Sequence, residues 1–161
     1  GGGILINGQL YQGVLQMAGH IGNTTVNADS AVRDITNMPG SIEDAVGNAT
    51  LPERSNGKYQ TTEELVNDFR NGDPFAAEVW TTSVRRLAVC IASMINALSP
   101  ECVILSGGIT QANEALLNPL NTFLDQYEWR PGGKKTPVKF ARFSDRAGAI
   151  GAAGFALSKM K

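Results

Sequence analysis

The chain has 161 residues, 42% of them hydrophobic, which is enough for one domain with a buried core. Its 14 basic and 15 acidic side chains give a formal net charge of −1. Because the phosphates of nucleic acids require a clustered basic surface, this balance predicts no direct nucleic-acid binding.

The apolar segments and the cysteines indicate a soluble, cytoplasmic protein. No apolar run approaches the roughly 20 residues of a membrane-spanning helix, and the N-terminus has no basic leader pattern. Cys90 and Cys102 have apolar neighbours and no metal-ligand spacing, which favours reduced, buried thiols. We therefore expect no membrane association.

The first 26 residues predict β-structure. In the sequence GGGILING, three glycines directly precede an apolar strand, and we expect the chain to be part of a longer polypeptide. Ile4 to Ile6 and the segment QLYQG flank Asn7-Gly8, a pair that suits a type I′ hairpin turn. A third strand is predicted over Thr24 to Val26, after the single histidine, His20.

A polar segment separates these strands from the first predicted helix. Residues 27–40 are loop-like, interrupted by AVRDI. Ser41 is a suitable N-cap for a short helix, and Asp44 three residues later completes a capping-box pattern. Residues 49–60 are again predicted to be a loop.

Two helices follow this loop. The segment TTEELVNDFRNG predicts a capped helix that begins near Thr61 and ends at Gly72. Pro74 is the first position of a long helix that Ser99-Pro100 ends. Apolar residues recur along this long helix at a spacing near 3.6, typical of a buried face: Phe75, Val79, Trp80, Val84, Leu87, Ile91, Met94, Ile95 and Leu98.

The second half alternates strands and helices. The segment ECVILSGGIT predicts a short strand that ends in two glycines, followed by a helix from about Gln111 to Tyr127. RPGGKK is a predicted loop, TPVKFARFS a strand and RAGAIGAAGFALSKM a helix of small residues. An antiparallel hairpin followed by helix, strand, helix, strand and helix predicts an α/β fold with a parallel second half.

Two glycine clusters are candidate nucleotide sites. Gly107 and Gly108 lie between a strand and a helix, where an α/β sheet exposes backbone N–H groups, although a tight turn without a ligand gives the same pattern. Gly1 to Gly3 lie at the head of a hairpin, where glycine-rich turns can bind phosphate through N–H groups. Linker residues are the alternative interpretation of this second cluster.

Three polar side chains form another candidate site. Glu43 offers a carboxylate that can accept two O–H bonds, and Asn23 and His20 can both donate and accept, so the set suits a ligand rich in hydroxyl groups. A structural role is the alternative for the lone histidine. The spacing does not show whether the two segments meet in space.

Several motifs together resemble a known family. The order GGGILINGQLYQG, AGHIGNTTV, PGSIEDAVGN, SPECVILSGGIT and RAGAIGAAGFAL resembles the C-terminal domain of the ROK family of sugar kinases and sugar-responsive repressors. In that family GGGIVINGKLYRG precedes AGEIGH, a cysteine-rich zinc segment ending in GCLE, a strand end VLGGG and finally AGLIGAA. Residues 39–43, 103–108 and 147–153 match the last three motifs, and the similarity covers nearly the whole chain.

The resemblance implies the fold of the chain and its place in a larger protein. The fold would be half of an actin-like, ribonuclease H-like ATPase, with nucleotide between two lobes and sugar in the cleft. Residues 1–161 would be the C-terminal lobe of a glucokinase-like member, and the N-terminal lobe is absent from the chain. The family often forms homodimers through this domain.

The resemblance also implies roles for the candidate residues. Gly1, Gly2 and Gly3 would end the second phosphate-binding turn, and Gly107 and Gly108 would flank the adenosine of ATP, which acts with Mg²⁺. The sugar contacts would be Glu43, His20 at the position of a family glutamate, and Asn23 beside them at the position of a zinc-binding histidine.

The chain departs from the family pattern at the zinc segment. The cysteines are missing, Ser41 stands where the last of them would be, and Asn23 replaces the histidine ligand. Because zinc prefers Cys and His ligands, we expect no structural zinc and no other metal site. The change from glutamate to His20 alters charge and reach, which leaves the preferred sugar open.

The implied activity is ATP-dependent phosphorylation of a hexose or N-acetylhexosamine by the full-length protein. In the family, the absent lobe carries the first phosphate loop and the aspartate that takes the proton from the sugar hydroxyl. We therefore expect the chain alone to be inactive, since phosphoryl transfer depends on positioning. The alternatives are a sugar-responsive repressor, whose DNA-binding module would lie upstream, and a catalytically degenerate sugar-binding protein.

Overall fold

The computed structural model describes residues 1–143 and 146–160. Its strands are β1 (Ile4–Ile6), β2 (Gln9–Tyr11), β3 (Val103–Leu105) and β4 (Val138–Phe140). Its α-helices are α1 (Ile42–Val46), α2 (Leu51–Arg54), α3 (Thr62–Arg70), α4 (Pro74–Leu98), α5 (Glu114–Tyr127) and α6 (Ala147–Lys159). Short 3₁₀ helices occupy Ile21–Asn23, Gly108–Ala112 and Pro131–Gly133.

The N-terminal hairpin is confirmed, whereas the third strand is wrong. β1 and β2 pair antiparallel, with Ile6 opposite Gln9, around a turn in which Asn7 and Gly8 both have positive φ. At residues 24–26 only Thr25 forms an isolated bridge, to Ser41. Val26 packs against Ile42 and Ala45 of α1 and Cys90 of α4, and the exposed Thr25 donates its hydroxyl to the Pro39 carbonyl over 3.1 Å, instead of continuing a sheet.

The segment 49–60 contains a helix, α2, that the prediction of a loop missed. Four residues with a proline among them are too short for a helix to be stable alone. Tertiary contacts hold it: Leu51 is fully buried, and the Arg54 guanidinium donates to Ser83 Oγ on α4 over 2.8 Å.

The helices α3 and α4 begin as their sequence signals predict. Thr61 and Glu64 form a reciprocal capping box at the start of α3. Asp73 accepts a hydrogen bond from the Ala76 amide, and Pro74 is the first residue of α4. The predicted apolar face of α4 is buried around Val79, Trp80, Val84, Ile91 and Ile95, whereas Leu98 at its end is exposed.

The main core lies between α4 and α5. Leu116, Leu120 and Leu124 of α5 are buried against the apolar face of α4. Trp80 is 1% exposed, and its indole Nε1 donates to the Ala115 carbonyl over 2.8 Å. The strands β3 and β4 pack against this core, and α1 packs against α4 through a smaller cluster.

The second half confirms the predicted order of elements. β3 and β4 pair in parallel, with Val103 opposite Val138, as expected for strands joined through a helix. The helix predicted from about Gln111 begins at Glu114, because Asn113 has φ +50° and interrupts the preceding 3₁₀ helix. The predicted strand TPVKFARFS ends in Ser144, which lies outside the described residues.

The final predicted helix is confirmed as α6. In the described ranges 1–143 and 146–160, none of the helices combines the length and the apolar character that crossing a bilayer requires.

Candidate functional site

The short helix α1 presents Glu43 to solvent. Ile42 and Ala45 point inward and form a small core with Cys90 of α4, which leaves the Glu43 side chain on the opposite, exposed side. Ser41 Oγ accepts the Asp44 amide over 3.1 Å and caps the helix, as predicted. Burial raises the pKa of the Cys90 thiol, so this cysteine is a core residue, as expected.

Side chains of Thr50 and Arg54 bind the C-terminal end of α1. Thr50 Oγ1 donates to the Asp44 carbonyl over 2.7 Å, and the Arg54 guanidinium donates to the Gly47 carbonyl over 2.8 Å. Burial lowers the pKa of Arg54, and the Asp44 carboxylate opposes that shift. The five-residue helix is thereby fixed at both ends, and with it the backbone of Glu43.

Two glycines flank the Glu43 carboxylate. The position that a Cβ would take on Gly22 is 3.1 Å from Glu43 Oε2, and the corresponding position on Gly47 is 3.6 Å from Oε1. A side chain at Gly22 would crowd the carboxylate. Neither glycine was singled out from the sequence, because their role depends on contacts between separate segments.

The N-terminal glycines pack against the bend that contains His20. Gly19 is buried with φ +93°, and a Cβ there would lie 3.0 Å from the Gly2 carbonyl oxygen and from Gly3 Cα. A Cβ on Gly2 would lie 2.9 Å from the Gly19 carbonyl oxygen. Only glycine allows the two backbones to approach this closely.

Residues 1–3, 20–23 and 43 therefore form one surface, which we call the Glu43 face. His20 directly precedes the 3₁₀ helix Ile21–Asn23, whose end is tied to α1 by the Ile42 amide donating to the Thr24 carbonyl over 2.9 Å. The side chains of His20 and Glu43 are exposed and make no hydrogen bond to other described residues. Both are available to a ligand.

Asn23 is partly committed to the protein itself. Its Nδ2 donates to Thr36 Oγ1 over 3.3 Å, which fixes the amide and leaves Oδ1 as the available acceptor. The segments that contain the three residues predicted to bind sugar thus lie side by side, with Asn23 anchored to the loop 27–40.

Gly107 and Gly108 lie at a different place, at the carboxyl end of β3. Gly107 has φ +93°, and its carbonyl accepts the Thr110 amide and hydroxyl at 3.1 and 2.7 Å. A Cβ on either glycine would meet no atom within 4 Å. The backbone is therefore open to an approaching ligand, and the first N–H groups of the following 3₁₀ helix have no intrahelical partner.

Asp34 organises the loop 27–40 and was missed by the sequence reasoning. Its Oδ1 accepts the Thr36 amide, the Thr36 hydroxyl and the Met38 amide at 2.8, 2.7 and 3.0 Å. An aspartate followed two residues later by threonine is the pattern of an Asx turn and could have signalled this arrangement. The loop is otherwise closed by a bridge between Arg33 and Pro39.

The residues at the expected zinc segment do not fit a zinc ion. Asn23 and Ser41 offer an amide and a hydroxyl, whereas zinc prefers thiolate and imidazole. Within residues 1–143 and 146–160, no three His, Cys, Asp or Glu side chains are grouped so as to hold a metal ion. Asn23 and Ser41 instead make hydrogen bonds within the protein.

A cleft of about 420 Å³ opens beside Asp44, away from the Glu43 carboxylate. Arg54, Arg86, Glu53 and Glu78 line it. Arg54 is already bonded to Ser83, Thr50 and Gly47.

The chain matches one protein family and its members along almost its whole length. A model of the ROK family matches residues 1–159. The glucokinase of Halalkalibacterium halodurans is 27% identical over 94% of this chain and 51% of its own length. The N-acetylmannosamine kinase of Yersinia pestis (strain Pestoides F) is 30% identical over 99% of this chain and 54% of its own length.

Solved structures have the same architecture. The ROK hexokinase from Thermus thermophilus superimposes with a TM-score of 0.86 and 26% identity, over 99% of this chain and 55% of that one. A ROK glucokinase from Streptomyces griseus in complex with glucose and AMPPNP gives 0.79, over 95% and 55% of the two chains, and at 22% identity supports the fold alone. The chain spans about half the length of these relatives and has the α/β architecture of their actin-like ATPase fold. It belongs to the ROK family.

Proposed function

We propose that the protein transfers the γ-phosphate of ATP to a hydroxyl group of a hexose or N-acetylhexosamine, and that the Glu43 face is part of its sugar site. The observation that carries the proposal is that the segment containing His20 and Asn23 packs against the segment containing Glu43: a Cβ on Gly22 would lie 3.1 Å from Glu43 Oε2, and the Ile42 amide donates to the Thr24 carbonyl. The named relatives are kinases of glucose and of N-acetylated hexosamines. Their shared chemistry is the recognition of several neighbouring hydroxyl groups.

The side chains of this face suit that task. The Glu43 carboxylate can accept two sugar hydroxyls, the His20 ring can donate and accept, and Asn23 Oδ1 can accept one more. Because α1 is anchored at both ends, the backbone of Glu43 is in place before the sugar arrives, and only the side chain has to be ordered on binding.

We propose that this chain is one lobe of a two-lobed enzyme and is inactive alone. It spans about half the length of its relatives, and no carboxylate of the Glu43 face is left over to take the proton from the sugar hydroxyl. The hairpin region exposes Leu5, Val14 and Leu15 at 70, 99 and 78%. So much exposed apolar surface fits a segment that packs against further protein.

The nucleotide site belongs to the same proposal. Gly107 and Gly108 would admit the adenosine, and Gly1 to Gly3 would lie near the phosphates, where ATP brings Mg²⁺ that neutralises developing charge. Mg²⁺ usually keeps several waters and phosphate oxygens as ligands, so few protein ligands are required. A cytoplasmic homodimer is the setting that we propose, and light scattering on the full-length protein tests the dimer.

Gly108→Val is expected to weaken ATP binding at least tenfold while leaving the fold intact. The added side chain enters the space through which the adenosine would approach, and a Cβ at Gly108 meets no protein atom within 4 Å. Titration of the full-length protein with ATP checks this result. Gly154→Val, at another open glycine on α6, is the matched control; an ATP affinity for Gly108→Val equal to that of the control would move the adenosine site elsewhere.

The activity itself is tested by ADP release from the full-length protein with ATP and Mg²⁺. Glucose, N-acetylglucosamine, N-acetylmannosamine and fructose form the substrate panel. Turnover on at least one sugar is the expected result. Sugar binding without turnover on any of them would contradict the kinase and favour a sugar-responsive repressor or a degenerate sugar-binding protein.

A further inference from the structure

We propose that Asp34 is a positioning residue of the sugar site: in place of a metal ion, its carboxylate holds the loop 27–40 so that Asn23 and Glu43 keep their relative positions. The inference rests on the proposed function for the role of the Glu43 face. Asp34 would act on the sugar only through other residues.

The Asp34 carboxylate is buried and accepts several hydrogen bonds. Asp34 is 8% exposed, and its Oδ1 accepts three hydrogen bonds from Thr36 and Met38. Oδ2 is buried without a partner of normal hydrogen-bond geometry among the described residues. Hydrogen bonding by the nearby Ser41 and Thr36 hydroxyls lowers the pKa of Asp34 to about 2, so the carboxylate is ionised at neutral pH.

The hydrogen bonds of Asp34 continue to residues of the Glu43 face. Thr36 Oγ1, which donates to Asp34, also accepts from Asn23 Nδ2. Ser41 directly follows the loop 27–40 and is the N-cap of α1, two residues before Glu43. Asn23 and Ser41 are the two positions that the family resemblance assigns to zinc ligands. In this chain Asn23 is linked to Asp34 through the Thr36 hydroxyl, and Ser41 follows the loop that Asp34 holds.

Hydrogen bonds attach the loop 27–40 to the segments of the Glu43 face. The Gly40 carbonyl accepts the Val26 and Asn27 amides at 2.9 and 3.2 Å, and the Gly40 amide donates to the Val32 carbonyl over 3.1 Å. Thr25 Oγ1 donates to the Pro39 carbonyl over 3.1 Å. A Cβ on Gly40 would collide with the Asn27 carbonyl oxygen. A change in the loop is therefore transmitted to Ser41 and the start of α1.

Kinetics of the full-length protein test the role in the sugar site. Asp34→Ala is expected to raise the KM for sugar about tenfold and to leave the KM for ATP within twofold, because the Gly107 region is separate. Asp34→Asn keeps the shape and the Oδ1 acceptor, so it should recover most of the loss. Asp29→Asn, at an exposed aspartate of the same loop, is the matched control and should match the unmodified protein.

Hydrogen exchange supplies a readout that does not depend on turnover. Asp34→Ala should speed amide exchange in residues 20–25 and 40–45 as well as in 34–38, with α4 and α5 unchanged, and Asp34→Asn should do so to a much smaller extent. Faster exchange confined to 34–38, an unchanged sugar KM, or a fall in kcat with both KM values unchanged would each overturn the proposal. If the unmodified protein phosphorylates no sugar, the proposed function fails, and the exchange pattern alone decides the role of Asp34.

A chelator distinguishes the carboxylate from a metal ion in the same loop. Adding EDTA to the unmodified protein should leave its melting temperature and the exchange of residues 20–45 unchanged. Faster exchange of residues 20–45 in EDTA, together with a lower melting temperature, would overturn the proposal by placing a metal ion in this loop.

Discussion

Replacing Glu43 with alanine is expected to raise the dissociation constant for sugar at least 30-fold and to leave that for ATP within twofold. If the Glu43 carboxylate accepts two sugar hydroxyls, the alanine variant loses two hydrogen bonds to a charged group, each worth about 1.5–3 kcal/mol. The sum corresponds to a factor well above 30. The proposed adenosine site at Gly107 and Gly108 follows β3, whereas Glu43 lies on α1, so ATP binding should not respond.

The substitution should not disturb folding. Glu43 is exposed and bonds to no other described side chain, so its removal belongs with surface changes of about 0.5 kcal/mol or less. Titration calorimetry on the full-length protein measures both ligands, and Glu101→Ala, at another exposed glutamate, is the control. A sugar affinity equal to that of Glu101→Ala would remove Glu43 from the site.

Replacing Trp80 with alanine is expected to reduce the free energy of unfolding by about 3–5 kcal/mol. The indole is 1% exposed, lies 6.4 Å from the Phe69 ring between centroids, and bonds to the Ala115 carbonyl. The change leaves a cavity between α4 and α5 and an unpaired carbonyl. Domains have only about 5–15 kcal/mol of stability, so a large part of it would be lost.

The other tryptophan provides the control for this prediction. Trp129 is 74% exposed, and only its backbone amide is bonded, to Asn96 Oδ1. Trp129→Ala should therefore change the free energy of unfolding by about 0.5 kcal/mol or less. Urea denaturation of the unmodified protein and of the two variants measures the free energy of unfolding. Equal losses of this free energy in Trp80→Ala and Trp129→Ala would contradict the assignment of the main core.

The long elements of the fold were predictable because their signals are local. The 3.6-residue period of α4, its Asp73 cap and Pro74 start act within one helix, and the Asn7-Gly8 turn acts within one hairpin. The two errors concern short segments. α2 exists because Arg54 and Leu51 contact distant residues, and the predicted strand at Thr24 to Val26 keeps only one bridge.

The candidate site was predictable in its residues and not in its geometry. The residue types of His20, Asn23 and Glu43 suggested hydroxyl binding, and the family resemblance assigned it to them, but contact between their segments depends on Gly19 and Gly22 lying against other backbone and side-chain atoms. Asp34 was missed since its hydrogen bonds to Thr36 and Met38, and the further bond from Asn23 to Thr36, become visible only in the folded chain. Such convergence is tertiary information.

Ionisation of Asp34 is expected to make the stability of the folded chain depend on pH in the acidic range. Its pKa of about 2 is below the usual value of 3.8, so ionisation stabilises the folded chain above about pH 4. This contribution is lost as the pH falls from about 4 to 2, and Asp34→Asn should lack it. The carboxylate stays ionised throughout the neutral range and is therefore a constant support for the loop.

Mapping where each ligand protects the full-length protein from hydrogen exchange distinguishes the two proposed sites. A sugar that is turned over should protect residues 19–25 and 41–47, and AMPPNP should protect residues 105–113. Protection of 105–113 by sugar, or no protection around Glu43 by any sugar that binds, would contradict the assignment of the Glu43 face as the sugar site.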